Sequence, residues 1–469
     1  MNIYVEKIYL QENGGISGII LFQNNKNINN IGTIIYSTLY SLQHRGQKSV
    51  GIFIDDFKNN KFIIKKKGII SSISMNKIIK IDGYLAIGNI GDTNKNKHNI
   101  DKYQPFIVNE NDIKICISYV GNIINRTFLI KKIFEDKDIN YNKKILDYEL
   151  ISKLLLKELK SRNNIDAIKY TLNTIVGSYC IIISINNNLY AIRDPYGVRP
   201  LCYGKINNSG YIIASESSTI DMINGGVLIR DVKPGEIIEF DYNGDIKHYT
   251  LLSNKKKISH CIFEYIYLAR PDSIIDNKLV YTVRENFGKQ LAKEYKVDCD
   301  IVCPIPDSGI ISAIGYSNEA KIKYTESIIK NKYIGRTFIL PTFNDRDIAL
   351  MFKMNFIKEN IYSKKIMIID DSIVRGTTIK KIIPIIKRLN PKEIHIGISS
   401  PKIVNSCCFG VNIQNKNELF SKLYSNNEIL SLIKCDSLKY LSIDGFIESI
   451  GLNKNNLCLN CITNKIIEL

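Results

Sequence analysis

The stretch Ile368-Ile369-Asp370-Asp371-Ser372-Ile373-Val374-Arg375-Gly376-Thr377-Thr378 decides how the second half of this chain reads. Lys365 to Ile369 is an apolar run of strand length, and the glycine-threonine turn leads into a helical repeat from Ile379 to Leu389. A buried strand therefore delivers two adjacent carboxylates to its carboxyl end, where open α/β sheets bind ligands. The turn adds backbone N–H groups and hydroxyls at a helix start, a seat for phosphate. Carboxylates in that place suit vicinal sugar hydroxyls. An isolated Asp-Asp pair reads equally well as a cap or turn. The strand-loop-helix context sets this pair apart.

Outward from that stretch, Asp300 to Ile305 and Glu393 to Ile398 read as further buried strands. From Cys261 onward strands alternate with helices, as a doubly wound sheet requires. The first half differs. Ile16 to Phe22, Ile113 to Ser118 and Tyr179 to Ser184 are short β-branched runs, and Asp147 to Lys160 repeats at helical spacing with Leu150, Leu154 and Leu155 on one side. The lysine-rich run Asn254 to Lys257 marks the border. A chain of 469 residues exceeds what one core fills, about 250 to 300 residues, so the expectation is two domains, α+β followed by α/β.

The formal charge of +18 invites a nucleic-acid partner. Lysines are spread along the chain among Ile and Asn, without a nucleic-acid-binding signature, and read as a solvated basic surface. Met1 to Asn13 carries charges inside its apolar stretch and does not read as a signal peptide. No segment approaches the roughly 20 apolar residues of a membrane helix. The expected location is cytoplasmic, without membrane or nucleic-acid partners, and the 11 cysteines read as thiols or metal ligands.

Several further stretches narrow the reading: Cys261-Ile262-Phe263-Glu264-Tyr265-Ile266-Tyr267-Leu268-Ala269-Arg270-Pro271-Asp272-Ser273, Pro304-Ile305-Pro306-Asp307-Ser308-Gly309, Lys330-Asn331-Lys332-Tyr333-Ile334-Gly335-Arg336-Thr337-Phe338, Arg193 to Leu201, and Ala214 to Ser217. With the Asp370-Asp371 run, they resemble the glutamine phosphoribosylpyrophosphate (PRPP) amidotransferase family over nearly the whole chain. The resemblance implies an N-terminal-nucleophile-hydrolase-like αββα sandwich followed by a type I phosphoribosyltransferase α/β domain. On that division 1–13 is a leader-like segment, 14–253 a type 2 glutamine amidotransferase-like domain and 258–469 the phosphoribosyltransferase domain.

The resemblance further implies a PRPP site formed by Asp370, Asp371, Ser372, Arg375, Gly376, Thr377 and Thr378, with magnesium at Ser308, Asp370 and Asp371. Magnesium keeps several waters and is held by few protein oxygens plus substrate phosphates. Lys330, Lys332 and Arg336 fall on what the family uses as a loop closing over PRPP. Closure would keep water from competing with ammonia. The implied product is 5-phosphoribosylamine, in the first committed step of purine biosynthesis. A homo-oligomer inhibited by purine nucleotides is implied too. A non-catalytic PRPP- or nucleotide-binding homologue and a nucleobase phosphoribosyltransferase are the competing readings.

Cys458 and Cys461 form a C-x-x-C pair, which by itself fits zinc, redox chemistry or chance. Cys261, Cys407, Cys458 and Cys461 match the four ligand positions of the family's iron-sulfur branch, which implies a [4Fe-4S] cluster. Zinc is the alternative for four thiolates. Cys116, Cys180, Cys202, Cys299, Cys303, Cys408 and Cys435 read as core.

The first domain departs from the family. Its nucleophilic cysteine is here Gly14, in Glu12-Asn13-Gly14-Gly15-Ile16, and glycine forms no thioester. The arginine expected to clamp the glutamine carboxylate is Gly91, so the bidentate pair is gone. An oxyanion-stabilising amide has become Val120, and losing one such donor typically costs about 100- to 1,000-fold in rate. Gly121 and Asp147 still match, and Gln43-His44-Arg45-Gly46-Gln47 is retained. The expectation is ammonia-dependent transfer, with ammonia from solution or a partner glutaminase.

Overall fold

The strand Gly177–Ile185 is buried at every position because it lies between two apolar layers. Tyr179, Ile181, Ile183 and Ile185 face helices Asp147–Leu159 and Asn164–Asn173, while Cys180 and Ile182 face a second sheet. A continuous apolar run with no polar alternation is the signature of a strand covered on both faces. The computed structural model describes residues 14–23, 31–56, 58, 60–92, 100–134, 145–251, 257–331, 354–411, 413 and 416–463. The leader-like segment 1–13 and most of the Asn254–Lys257 border lie outside these residues.

In the first domain a six-stranded antiparallel sheet runs in the order Ile246–Thr250, Glu236–Phe240, Asn188–Arg193, Gly177–Ile185, Ile113–Ile123, Phe106–Glu110. The facing seven-stranded sheet runs Gly226–Asp231, Cys202–Ile206, Gly210–Ala214, Gly14–Leu21, Leu85–Gly91, Ser49–Asp55, Lys61–Lys67. Ile16, Ile20, Leu85 and Ile87 of one sheet pack on Val120, Ile182, Ala191 and Ile238 of the other. Helix Ile31–Ser41 covers the outer face of the seven-stranded sheet through Ile31, Ile35 and Leu39. The layers are helix, sheet, sheet, helix, as expected. Leu150, Leu154 and Leu155 are all buried.

The second domain has a five-stranded parallel sheet in the order Lys323–Tyr324, Ile301–Pro304, Lys365–Asp370, Glu393–Ile398, Ser437–Tyr440. Helices Val280–Glu294, Ile310–Ala320 and Ile443–Ile450 cover one face, around Val302, Met367 and Ile369. Helix Thr377–Lys387 covers the other with Ile379, Ile382, Ile383 and Ile386, spaced for one helical face. Each such isoleucine contributes about 1.5–3 kcal/mol by leaving water. Among the described residues no helix is long and apolar enough to cross a membrane.

Candidate active site

Strand Lys365–Asp370 ends in the middle of the parallel sheet, so Asp370 and Asp371 emerge at its carboxyl edge, 5% and 7% exposed. Asp371 accepts hydrogen bonds from Ser308 Oγ and Ser372 Oγ, each at 2.8 Å, and its own N–H donates to Asp370 Oδ1 at 2.9 Å. Among the described residues neither carboxylate forms a salt bridge. Burial, and then the like charge of Asp371, push the Asp370 carboxyl well above the ordinary range. Two buried carboxylates without an ion-pair partner among the described residues are the donor set a hard divalent cation takes.

Ser308 stands just before helix Ile310–Ala320, which starts at the end of the adjacent strand. The loop after Asp371 closes on Gly376, whose φ of +72° suits glycine; a β-carbon there would lie 2.9 Å from the Phe420 ring. Gly376 is the N-cap of helix Thr377–Lys387, so the first-turn N–H groups there point toward the carboxylates' edge of the sheet. Thr377 and Thr378 are exposed on the first turn. Arg375 is exposed and paired with Glu418 at 2.7 Å. Lys330 ends a short strand, Ile328–Lys330, and pairs with Asp307, beside Ser308. Lys332 and Arg336 lie outside the described residues.

Cys261, Cys407, Cys458 and Cys461 are all buried. Cys261 and Cys458 are direct partners in a two-residue parallel pairing, His260–Cys261 with Leu457–Cys458. Burial raises the Cys458 and Cys461 thiols, and each is raised further by Cys261 and Cys407. The Phe409 N–H donates to Cys407 Sγ at 3.3 Å. The four thiols, from three distant segments, belong to one core cluster, with an N–H directed at one sulfur. Among the described residues no three His, Cys, Asp or Glu side chains converge as ligands of a single metal ion. Cys116, Cys180, Cys202 and Cys303 are core, whereas Cys299, Cys408 and Cys435 are only half-buried.

The residues expected to line a glutamine pocket in the first domain are engaged in sheet pairing and packing. Gly14 opens its strand paired with Gly91, which also pairs with Ser49 on the other side. A β-carbon on Gly14 would lie 2.0 Å from the Ile90 carbonyl oxygen, and one on Gly46 would lie 2.8 Å from the Gly91 backbone. Val120 is buried between the sheets. Gly121 has φ +151°, with the Ser178 carbonyl oxygen 2.1 Å from where its β-carbon would be. Asp147, 1% exposed, accepts from Tyr119 OH and Ile123 N, both at 3.0 Å, and pairs with Arg126. Asn122 Nδ2 and Ser178 Oγ donate to the carbonyls of Cys408 and Phe409 at 2.8 and 2.7 Å, so the second domain's cysteine segment covers this edge.

The sequence reading passed over a buried ionic network between the domains. Arg45 bonds Glu216 through Nε and Glu264 through Nη2 at 2.7 Å, and Arg199 adds a contact to Glu264 at 3.5 Å. Glu216 also accepts from His44 at 2.6 Å, Ser273 Oγ at 2.6 Å and the Arg270 N–H at 2.9 Å. Burial alone would raise the Glu216 carboxyl, but Arg45 and His44 outweigh it and hold it well below the usual range. A second tie joins Arg193 to Asp276 at 3.0 Å, with His260 at 2.9 Å from the same carboxylate. The only available signal was the charged residues inside the quoted motifs; their partners are up to 219 positions away.

Residues 96–222 match the glutamine amidotransferase domain family. The chain is 38% identical to the amidophosphoribosyltransferase of Methanocaldococcus jannaschii, over 93% of this chain and 94% of the relative. It is 39% identical to the amidophosphoribosyltransferase of Methanothermobacter thermautotrophicus, over 92% and 90%. Among solved structures it superposes on the Bacillus subtilis glutamine PRPP amidotransferase complexed with ADP and GMP, with TM-score 0.86, 33% identity and 96% of each chain covered. The sandwich, the phosphoribosyltransferase-type sheet and these full-length likenesses lead to one conclusion: the chain belongs to the amidophosphoribosyltransferase family, the pentosyltransferases that carry out the first committed step of purine biosynthesis.

Proposed function

We propose that this chain makes 5-phosphoribosylamine from PRPP with ammonia taken from solution or from a partner glutaminase, without hydrolysing glutamine itself. The observation that carries this is Gly14: the backbone of the neighbouring strand occupies the place a nucleophilic side chain would need, 2.0 Å from its β-carbon. The Gly91 and Val120 replacements and the commitment of Asp147 to Arg126 point the same way.

In the transfer, ammonia nitrogen bonds to C1 of the sugar, the C1–oxygen bond breaks, pyrophosphate leaves, and the nitrogen sheds a proton. Asp370 and Asp371 would hold the ribose hydroxyls and, with Ser308, a magnesium ion, which when bound would offset negative charge on the leaving pyrophosphate. Ser372, Gly376, Thr377 and Thr378 seat the 5-phosphate at the helix start, with Arg375 beside them. Lys330, which ends a strand beside Asp307, is proposed with Lys332 and Arg336 as part of the transfer site, on the family resemblance.

Cys261, Cys407, Cys458 and Cys461 are proposed to hold a [4Fe-4S] cluster, with zinc as the alternative occupant; their shared burial and the N–H directed at Cys407 support a group bound by sulfur. Purine nucleotides are proposed as feedback ligands from the likeness to the Bacillus subtilis relative, and a homo-oligomer from the family.

The deciding assay follows phosphoribosylamine formation by purified protein from magnesium-PRPP with ammonium or with glutamine. Turnover with ammonium and none with glutamine is expected. Equal turnover with the two donors overturns the reading.

A further inference from the structure

Arg45 belongs to a glutaminase motif with no nucleophile left to serve, yet its buried side chain is bonded at three nitrogens. Two of those bonds go to Glu264, across the domain boundary. Glu264 opens the turn Glu264–Leu268, and Arg284 ties off that turn, with Nε donating to the Tyr265 carbonyl and Nη2 to the Ala269 carbonyl, both at 2.8 Å. The Arg284 carbonyl in turn accepts from Ser312 Oγ at 3.0 Å.

Arg284 and Ser312 sit on helices in backbone contact. A β-carbon on Gly288 would stand 1.8 Å from the Ser312 carbonyl oxygen, and one on Gly315 would stand 2.0 Å from the Glu285 carbonyl oxygen. Neither helix can approach the other further, and close-packed interiors transmit displacement instead of absorbing it. The second helix begins two residues after Ser308, whose hydroxyl donates to Asp371 at 2.8 Å. Drift of a few tenths of an ångström takes such a hydroxyl-carboxylate bond out of its favourable range, about 2.5–3.0 Å.

We propose that Arg45 is a positioning residue for phosphoribosyl transfer: paired with Glu264, it fixes, through Arg284 and Ser312, the helix whose leading Ser308 orients Asp371. The retained first domain is then a brace for the PRPP site. The proposal rests on the assignment of Ser308 and Asp371 to that site.

The test uses the full chain, ammonium as nitrogen donor and varied magnesium-PRPP. R45K keeps the charge but loses the two-pronged guanidinium geometry, and S308A removes the far end of the path. R45K is expected to raise the KM for PRPP about tenfold with the KM for ammonium unchanged. The double variant R45K/S308A is expected to match S308A within about twofold, because the two changes act on one bond. E264Q gives the same measurement from the other partner and replaces R45K if that variant does not fold. Effects of R45K and S308A that multiply, or an unchanged KM for PRPP in folded R45K, overturn the proposal alone. An unchanged KM in S308A overturns the site assignment with it.

Discussion

Gly14 and Gly91 are direct partners in adjacent antiparallel strands, and a side chain on Gly14 would run into the Ile90 carbonyl oxygen. The strand is therefore paired to its first residue, at the position proposed above to have lost a nucleophile. Restoring the thiol by G14C is expected to yield no glutamine-dependent turnover and to lower the thermal midpoint, since overpacking typically costs about 1–3 kcal/mol. Glutamine hydrolysis by G14C, followed as glutamate release, would contradict this.

Asp370 is buried against Asp371 without an ion-pair partner among the described residues. Charge repulsion held for binding costs stability when no cation is present. D370N is expected to abolish ammonium-driven turnover by about 100-fold or more while raising the metal-free thermal midpoint by about 2–4 °C, the equivalent of about 1 kcal/mol. Steady-state rates and calorimetry check the two halves separately.

Glu216 is held well below the ordinary carboxylate range by Arg45 and His44 despite its burial. A lowered folded-state value means that its stabilisation is complete above the unfolded value of about 4.3 and is lost as pH falls from there. E216Q is expected to destabilise the protein by about 3–5 kcal/mol at pH 7, because Arg45 then loses a charged partner in a dry site. Its acid limb should also be shallower than that of the natural chain below about pH 4.3. Denaturant unfolding from pH 3 to 7 measures both; parallel curves for the two proteins would refute the assignment.

Cys458 pairs directly with Cys261 at the edge of the domain interface. If these thiols hold the proposed cluster, protein purified without oxygen carries about four iron atoms per chain, and C458S loses them together with part of its thermal stability. Metal analysis showing one zinc and no iron assigns the alternative occupant.

Runs such as Lys365 to Ile369 and Glu393 to Ile398 were legible as strands because β-branched residues favour a pleated, buried chain whatever surrounds them. The Asp370-Asp371 pair was placed at a sheet edge by the same local pattern, and the glycine at position 14, with no side chain to attack a substrate, was legible at once. Ser308 came to Asp371, and Cys261 to Cys458, only when the chain folded. Asp147 matched a pocket position in sequence, yet tertiary packing gave its carboxylate to Arg126, Tyr119 and Ile123. Arg45 likewise kept a glutaminase motif while its charge went to Glu264, 219 positions on. Backbone preference acts over a few residues and is written locally. The partner of a buried charge is set by which surfaces pack, and that was decided only by the tertiary structure.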